Sequence, residues 1–321
     1  MNHVPTKQDI IEAHERISTH IPRTPVFHCE ALDRAVRGSV HCKMECLMPD
    51  VGSFKIRGVM NALLSLTPEE RRRGVLTQSS GNHAQAFALV AKRMGIPATI
   101  VMPKNANPTK KRNVLEFGGK IVECEPGDAP REQMVRDVQS ATGAVVIHPF
   151  NDYRIIAGQA TAAKELLEDV PDLQVMVAPV GGGGLLSGTL LTAHYFSPQT
   201  KVIAGEPVGA DDAYRSLQAG SIQPNLTVNT IADGLITKLG DKTFPIIQQY
   251  VDHIVRVEDA EIAAAMRELW ERLRVTVEPS GAVSYAALLK EKSSYYRQKI
   301  GVILSGGNVD LDRIPFLQRS L

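Results

Sequence analysis

The chain has 321 residues, 43% of them hydrophobic and 22% charged, the balance of a folded globular protein rather than a disordered one. Thirty-six Lys and Arg against 35 Asp and Glu leave a formal net charge of +1, which gives no electrostatic reason to expect nucleic acid or an acidic membrane surface as a partner. No apolar run approaches the roughly 18 residues of a membrane helix, the start Met1–Ile10 lacks the apolar core of a secretory signal, and the four cysteines (Cys29, Cys42, Cys46, Cys124) are too few for a disulfide scaffold. A cytoplasmic enzyme or binding protein is expected.

In chain order, the sequence predicts a strand over 40–45, a helix over 58–66, a strand over 74–78, a helix over 84–94 and a strand over 98–102. A helix over 108–117, a strand over 120–124, a helix over 131–142, a strand over 144–148 and a helix over 155–167 follow. Strands over 175–180 and 201–206 flank a helix over 185–195, and strands over 253–257 and 300–304 flank a helix over 259–272. The alternation argues for an α/β protein of open, mostly parallel twisted sheets with helices on both faces. Nine strands are many for one open sheet, so two domains are expected: a small one over 67–148, and a large one built from 1–66 with 149–321.

Ligands in such sheets bind beyond the carboxyl ends of strands, and three turns there carry polar chemistry. Gly181-Gly-Gly-Gly184 lets the backbone approach an anion closely and opens a helix whose first N–H groups are free, which reads as a phosphate cradle; a flexible turn is the plain alternative. Gly182-x-Gly184-x-x-Ser187 is also a degraded dinucleotide fingerprint, with Glu206 placed like a ribose-binding acid. A Rossmann NAD-dependent dehydrogenase is therefore a rival reading, and a non-catalytic amino-acid sensor is another. Ser79-Ser-Gly-Asn-His83 and Ser305-Gly-Gly-Asn308 follow two further strands, and each could be no more than a helix cap or turn. In Ser53-Phe-Lys-Ile-Arg-Gly58, Ser53 reads as a helix cap with Lys55 in the first turn, where burial beside the positive end of the helix dipole would favour the neutral amine a Schiff base needs.

Taken together and in their chain order, 53–58, 79–83, 181–184 and 305–308, these four segments resemble the fold-type II pyridoxal-phosphate enzymes, specifically the serine/threonine dehydratase and serine racemase group, over nearly the whole chain. The resemblance implies a tryptophan synthase β-like fold, a homodimer, and pyridoxal 5'-phosphate held covalently by Lys55 with Phe54 beside it. It implies that Gly181, Gly182, Gly183, Gly184 and Leu185 bind the phosphate, that Asn82 meets the ring hydroxyl, that Ser305 faces the pyridine nitrogen and that Gly234 lies by the cofactor. Ser79, Asn82 and His83 would receive the substrate carboxylate. The run 45–53 departs from the family, with Met48 and Val51 where Gln and Thr are usual, and is one residue longer.

The implied reaction is β-elimination of water from a hydroxyamino acid (serine, threonine or 3-hydroxyaspartate), giving a 2-oxo acid or its imine and ammonia. Ser80 resembles the racemases and could protonate Cα from the face opposite Lys55, so a serine or aspartate racemase is the alternative. Arg131, within the racemase-like Pro126–Glu132, could reach a second carboxylate, as in hydroxyaspartate; a solvated arginine is the plain alternative. Thr237 occupies a pocket position where relatives have a small hydroxyl residue. Glu206 and Asp212 with the Ala210 carbonyl match the racemase metal site, and oxygen ligands suit Mg²⁺, Ca²⁺ or Mn²⁺. Cys42 and Cys46 lack a second ligand pair and read as buried packing. Glu278-Pro-Ser-Gly281 matches the family near the cofactor, without a role that can be derived. With the chain ending near Leu321, no C-terminal regulatory domain and no feedback by isoleucine are expected.

Overall fold

The computed structural model describes residues 1, 3–106, 108–311 and 314–317. Its strands are β1 (Val26–His28), β2 (Ser39–Lys43), β3 (Val75–Gln78), β4 (Ala98–Pro103), β5 (Lys120–Cys124), β6 (Val145–Val146), β7 (Val175–Pro179), β8 (Lys201–Pro207), β9 (His253–Val257) and β10 (Lys299–Ile303). They form a six-stranded sheet in the order β1-β2-β10-β7-β8-β9 and a four-stranded sheet in the order β5-β4-β3-β6. Every pairing is parallel except β1 with β2.

All five residues of β7 are buried, as a strand covered on both faces requires. The period of two sorts them: Val175 and Val177 join the core under the helices Asp259–Leu273 and Pro279–Lys290, while Met176 and Ala178 join the core under Tyr153–Asp169 and Gly184–Phe196. The four-stranded sheet is sandwiched likewise. Val75 and Ile100 face the helix Asn82–Arg93, and Leu76 and Val101 face Asp128–Thr142.

Both sheets reverse their winding at one strand. From β3 the chain builds outward to β4 and β5, then returns to place β6 on the other side; from β7 it builds to β8 and β9, then places β10 on the other side. Crevices open beyond the carboxyl ends of strands at such switch points. The residues after β3 are Ser79–His83, those after β7 are the four glycines, and those after β10 begin with Ser305.

Several elements depart from the sequence expectations. Strand β1 is a three-residue edge too short to show a period, and Glu45 lies in a 3₁₀ turn (Glu45–Leu47) after β2 rather than in it. Only Val145 and Val146 of the segment 144–148 pair with β3, because His148 turns out of the sheet and its Nδ1 accepts the N–H of Asn151 at 2.9 Å. The helix of Lys55 runs Lys55–Leu64 with Phe54, not Ser53, at its cap; Ser53 instead bridges to Gly306, and its buried hydroxyl has no partner. Among the described residues no helix is long and apolar enough to cross a membrane.

Candidate active site

Between the two switch points lies a cavity of about 710 Å³. Lys55 stands in its wall, where its segment is stitched to the end of β10 by Phe54 N–H donating to Ser305 O at 3.1 Å and Gly307 N–H donating to Gly52 O at 2.8 Å. The amine keeps some surface open to the cavity but is enclosed by protein, and this burial lowers its pKa to about 8, against the opposing pull of Glu278. The Lys55 Nζ lies 4.9 Å from the centre of the Phe54 ring, a cation–π contact.

Glu278, for which the sequence offers no role, lies against Lys55 and Asn82. Its carboxylate accepts the Asn82 Nδ2 hydrogen bond at 2.8 Å, and the Asn82 Oδ1 accepts from Asn308 Nδ2 at 3.1 Å, so the amide of Asn82 is oriented from both ends. Burial pushes Glu278 up to about 7, with the Asn82 bond pulling the other way. Gly183 caps the helix Gly184–Phe196 with φ +87°, a backbone that only glycine adopts freely. Thr243, also missed in the sequence, holds the loop: its hydroxyl donates to Gly182 O at 2.9 Å and accepts from Gly240 N at 2.9 Å. The N–H groups of Gly182 and Gly183 take no acceptor among the described residues, and the first turn of the helix adds further free N–H groups. An enclosed amine of lowered pKa facing unpaired backbone N–H groups suits an aldehyde that carries a phosphate, so these residues fit pyridoxal phosphate.

Every residue expected to touch cofactor or substrate borders this cavity: Phe54, Lys55, Ser79, Ser80, Asn82, His83, Arg131, Gly181 to Gly184, Leu185, Gly234, Thr237 and Ser305. The helix over Ser79–His83 starts at Asn82 with Gly81 as its cap and no side-chain capping bond, so the serines are not explained as caps. Ser79 Oγ accepts from Gly81 N at 3.3 Å, and the Ser80 hydroxyl takes no partner among the described residues. The ring of His83 is buried. The Thr77 hydroxyl donates to Ile147 O at 2.6 Å, so at 3.1 Å it accepts from His83 Nε2. Burial, with Lys55 and His148 nearby, holds the imidazole well below its usual range, so the neutral ring, its one N–H given to Thr77, offers an anion no charge, and only the backbone N–H of His83 at the helix start is available to it. Arg131 pairs with Asp128 at 2.8 Å while still bordering the cavity.

Glu206, Ala210 and Asp212 lie outside the cavity, all buried. Glu206 accepts from the N–H groups of Ala213 and Tyr214 at 2.7 and 2.8 Å, one bond on each oxygen, and it does not border the cavity with the glycine loop as a ribose-binding acid would. Asp212 Oδ2 accepts from Leu239 N at 2.9 Å, while its buried Oδ1 meets no donor at hydrogen-bond distance among the described residues, with the Asn225 side chain as its polar neighbour. Burial raises Glu206 well above the usual carboxylate range and Asp212 to about 6. Among the described residues no cluster of three or more His, Cys, Asp or Glu side chains is placed to hold a metal, so any site here is two carboxylates and a carbonyl. An orphaned oxygen beside a second buried carboxyl fits a hard cation. Cys42 and Cys46 are buried, and burial pushes the Cys46 thiol up to about 12, as inert packing residues require.

The family described as pyridoxal-phosphate dependent enzyme matches residues 17–306. The chain is 45% identical over 314 residues to the β-hydroxyaspartate dehydratase of Paracoccus denitrificans, covering 98% of this chain and 99% of that protein. It is 48% identical over 307 residues to a serine racemase of Arabidopsis thaliana, covering 94% and 92%. The structure of maize serine racemase superposes with a TM-score of 0.94 at 44% identity, covering 97% of this chain and 95% of that one.

Proposed function

The chain belongs to the pyridoxal-phosphate dependent enzymes, and from that premise we propose that it is a hydroxyamino-acid dehydratase, an ammonia-lyase that eliminates water from a β-hydroxyamino acid to give a 2-oxo acid or its imine and ammonia. The observation that carries the reading is the enclosed Lys55 amine, of lowered pKa, facing the glycine loop across one cavity. When bound, the cofactor supplies an electron sink that acidifies the Cα proton of an amino acid. Lys55 is the base placed to take that proton. The N–H groups of the glycine loop and the first helical turn hold the phosphate end. Asn82, fixed by Glu278 and Asn308, orients the ring from one side. Ser305, which also borders the cavity, would meet the ring nitrogen with a neutral hydroxyl where a carboxylate would hold it protonated.

Among substrates, 3-hydroxyaspartate is preferred, because Arg131 borders the cavity and the 45% identical relative is named for that substrate. A second reading, amino-acid racemisation, rests on the Ser80 hydroxyl, which borders the cavity without a partner among the described residues, and on the serine racemases among the relatives. The residues 206, 210 and 212 are proposed to hold Mg²⁺, Ca²⁺ or Mn²⁺, supported by the unpaired Asp212 oxygen. We further propose a cytoplasmic homodimer, with residues 67–148 as a small substrate-binding domain beside a large cofactor-binding one of 1–66 and 149–321.

The test is to add pyridoxal phosphate to the protein, record the visible spectrum, and assay 2-oxo acid from 3-hydroxyaspartate, serine and threonine. The expected result is a lysine-linked cofactor band and 2-oxo acid formation, both lost in Lys55→Ala, with hydroxyaspartate the best substrate. Enantiomer interconversion without 2-oxo acid would replace the dehydratase reading by the racemase one.

A further inference from the structure

We infer that Arg57 is a positioning residue that fixes the Lys55 helix against the helix Tyr153–Asp169, the middle one of the three helices between Lys55 and the glycine loop. The inference rests on the cofactor reading above. Arg57 lies two residues after Lys55, fully buried, and both edges of its guanidinium are engaged. Nε and Nη2 donate to Glu45 at 2.7 and 2.8 Å, and Nη1 and Nη2 donate to Glu165 at 2.8 and 2.7 Å. Nη1 also donates to Thr161 Oγ1 at 3.1 Å. The carboxylates are braced in turn: Lys43 Nζ donates to Glu165 at 2.6 Å and Thr24 Oγ1 donates to Glu45 at 2.6 Å. Two buried cations and two buried anions thus bind the start of the Lys55 helix to β2, the turn after it, and the helix Tyr153–Asp169.

Apolar side chains of the same volume would hold these elements together at least as well, so stability alone gives no reason for the charges. Geometry does. Beside the cluster the two helices touch backbone to backbone: a Cβ on Gly158 would lie 2.6 Å from both Arg57 O and Gly58 Cα. The helix Tyr153–Asp169 then touches the next one in the same manner, since a Cβ on Gly188 would lie 2.6 Å from Ala160 N. That next helix, Gly184–Phe196, begins at the glycine loop. The covalent anchor and the phosphate cradle are therefore the two ends of a stack of three helices crossing at glycines.

A glycine crossing fixes how closely two helices approach but lets one roll over the other. A planar guanidinium gripped on two edges by separate elements resists that roll, and a lysine in its place would not. Two further ties join these helices: Gly58 N–H donates to Gln159 Oε1 at 3.2 Å beside Arg57, a single bond that fixes no plane, and Asn61 Nδ2 donates to Arg154 O at 2.7 Å further along the helix.

The experiment compares the parent protein with Arg57→Lys and Thr161→Val, each loaded with pyridoxal phosphate. Far-UV circular dichroism reports the fold, visible circular dichroism the tilt of the bound cofactor, and titration its affinity. With Arg57→Lys, the expected result is a native far-UV spectrum, an altered visible signal, cofactor affinity weaker by about tenfold, and kcat lower on the order of 10²-fold at a KM changed by less than about threefold. Thr161→Val, which keeps all four charges, should shift each readout in the same direction by less. Should Arg57→Lys not fold, the Thr161→Val protein decides the matter. Parent-like visible signal, affinity and kcat in every variant that folds would overturn the inference. Absence of cofactor uptake by the parent would instead defeat the functional reading on which it rests.

Discussion

Lys55 carries a pKa about two orders of magnitude in proton affinity below an ordinary lysine, because burial penalises its ammonium form more than Glu278 supports it. A protonated amine cannot attack an aldehyde, so the cofactor-free protein is expected to take up pyridoxal phosphate at a rate that rises with pH through a midpoint of about 8. Stopped-flow absorbance across a pH series measures this, and a midpoint near the ordinary 10.5 would show that the enclosure does not act as described. At this scale the sequence is legible where the chemistry is contiguous, as in Ser53–Gly58 and Gly181–Gly184. It is silent on Glu278 as a partner of Asn82, 196 positions away, because only the folded chain makes that pair. The proposed metal ligands Glu206 and Asp212 are suggested by resemblance alone, since two carboxylates six positions apart fix no spacing rule.

Among elements, the glycine loop depends on a side chain it does not contain. Thr243 starts the helix Thr243–Tyr250, is fully buried, and satisfies one carbonyl and one N–H on either side of the cavity wall. Thr243→Val keeps the shape but strands both groups, and is expected to cost about 1–3 kcal/mol of stability and to weaken pyridoxal phosphate binding. Denaturant melts with and without cofactor separate the two effects, and a variant as stable and as tightly loaded as the parent would refute the role. Strands β5 and β9 fall where the apolar runs place them. The helix Pro279–Lys290 is absent from the expectations because nine of its residues are buried and its apolar positions leave no single stripe to mark a period. The start of the Lys55 helix is misjudged by one residue for a tertiary reason: Ser53 pairs with Gly306 instead of capping.

Across the whole molecule, the two sheets meet over the cavity, and one ion pair crosses its rim. Lys110, in the helix Pro108–Glu116, pairs with Asp233 in the turn Asp233–Leu235. Asp233 is well exposed, so Lys110→Ala should change stability by less than about 1 kcal/mol. It should nevertheless raise KM and flatten the dependence of KM on salt, because the pair ties the helix Pro108–Glu116 to the turn Asp233–Leu235 across the mouth of the cavity. Steady-state kinetics at low and high ionic strength test this, and a KM equal to the parent's at both would dismiss the pair as ornamental. The α/β class and the two-sheet layout are legible from strand–helix alternation, whereas the order of strands is not, because neighbours in a parallel sheet leave no mark on one another's composition.

The strand order has a consequence for how the protein is made. β10, the last strand synthesised, lies between β2 and β7. The four-stranded sheet uses only residues 75–146 and can assemble while the chain is still emerging from the ribosome. The six-stranded sheet must wait with a gap at its centre until residues 299–303 arrive, and Ser305 and the stitching of Lys55 come with them. The nascent chain is therefore expected not to capture its cofactor before residues 299–305 have emerged, and any truncation before β10 removes the middle of the larger sheet rather than its margin.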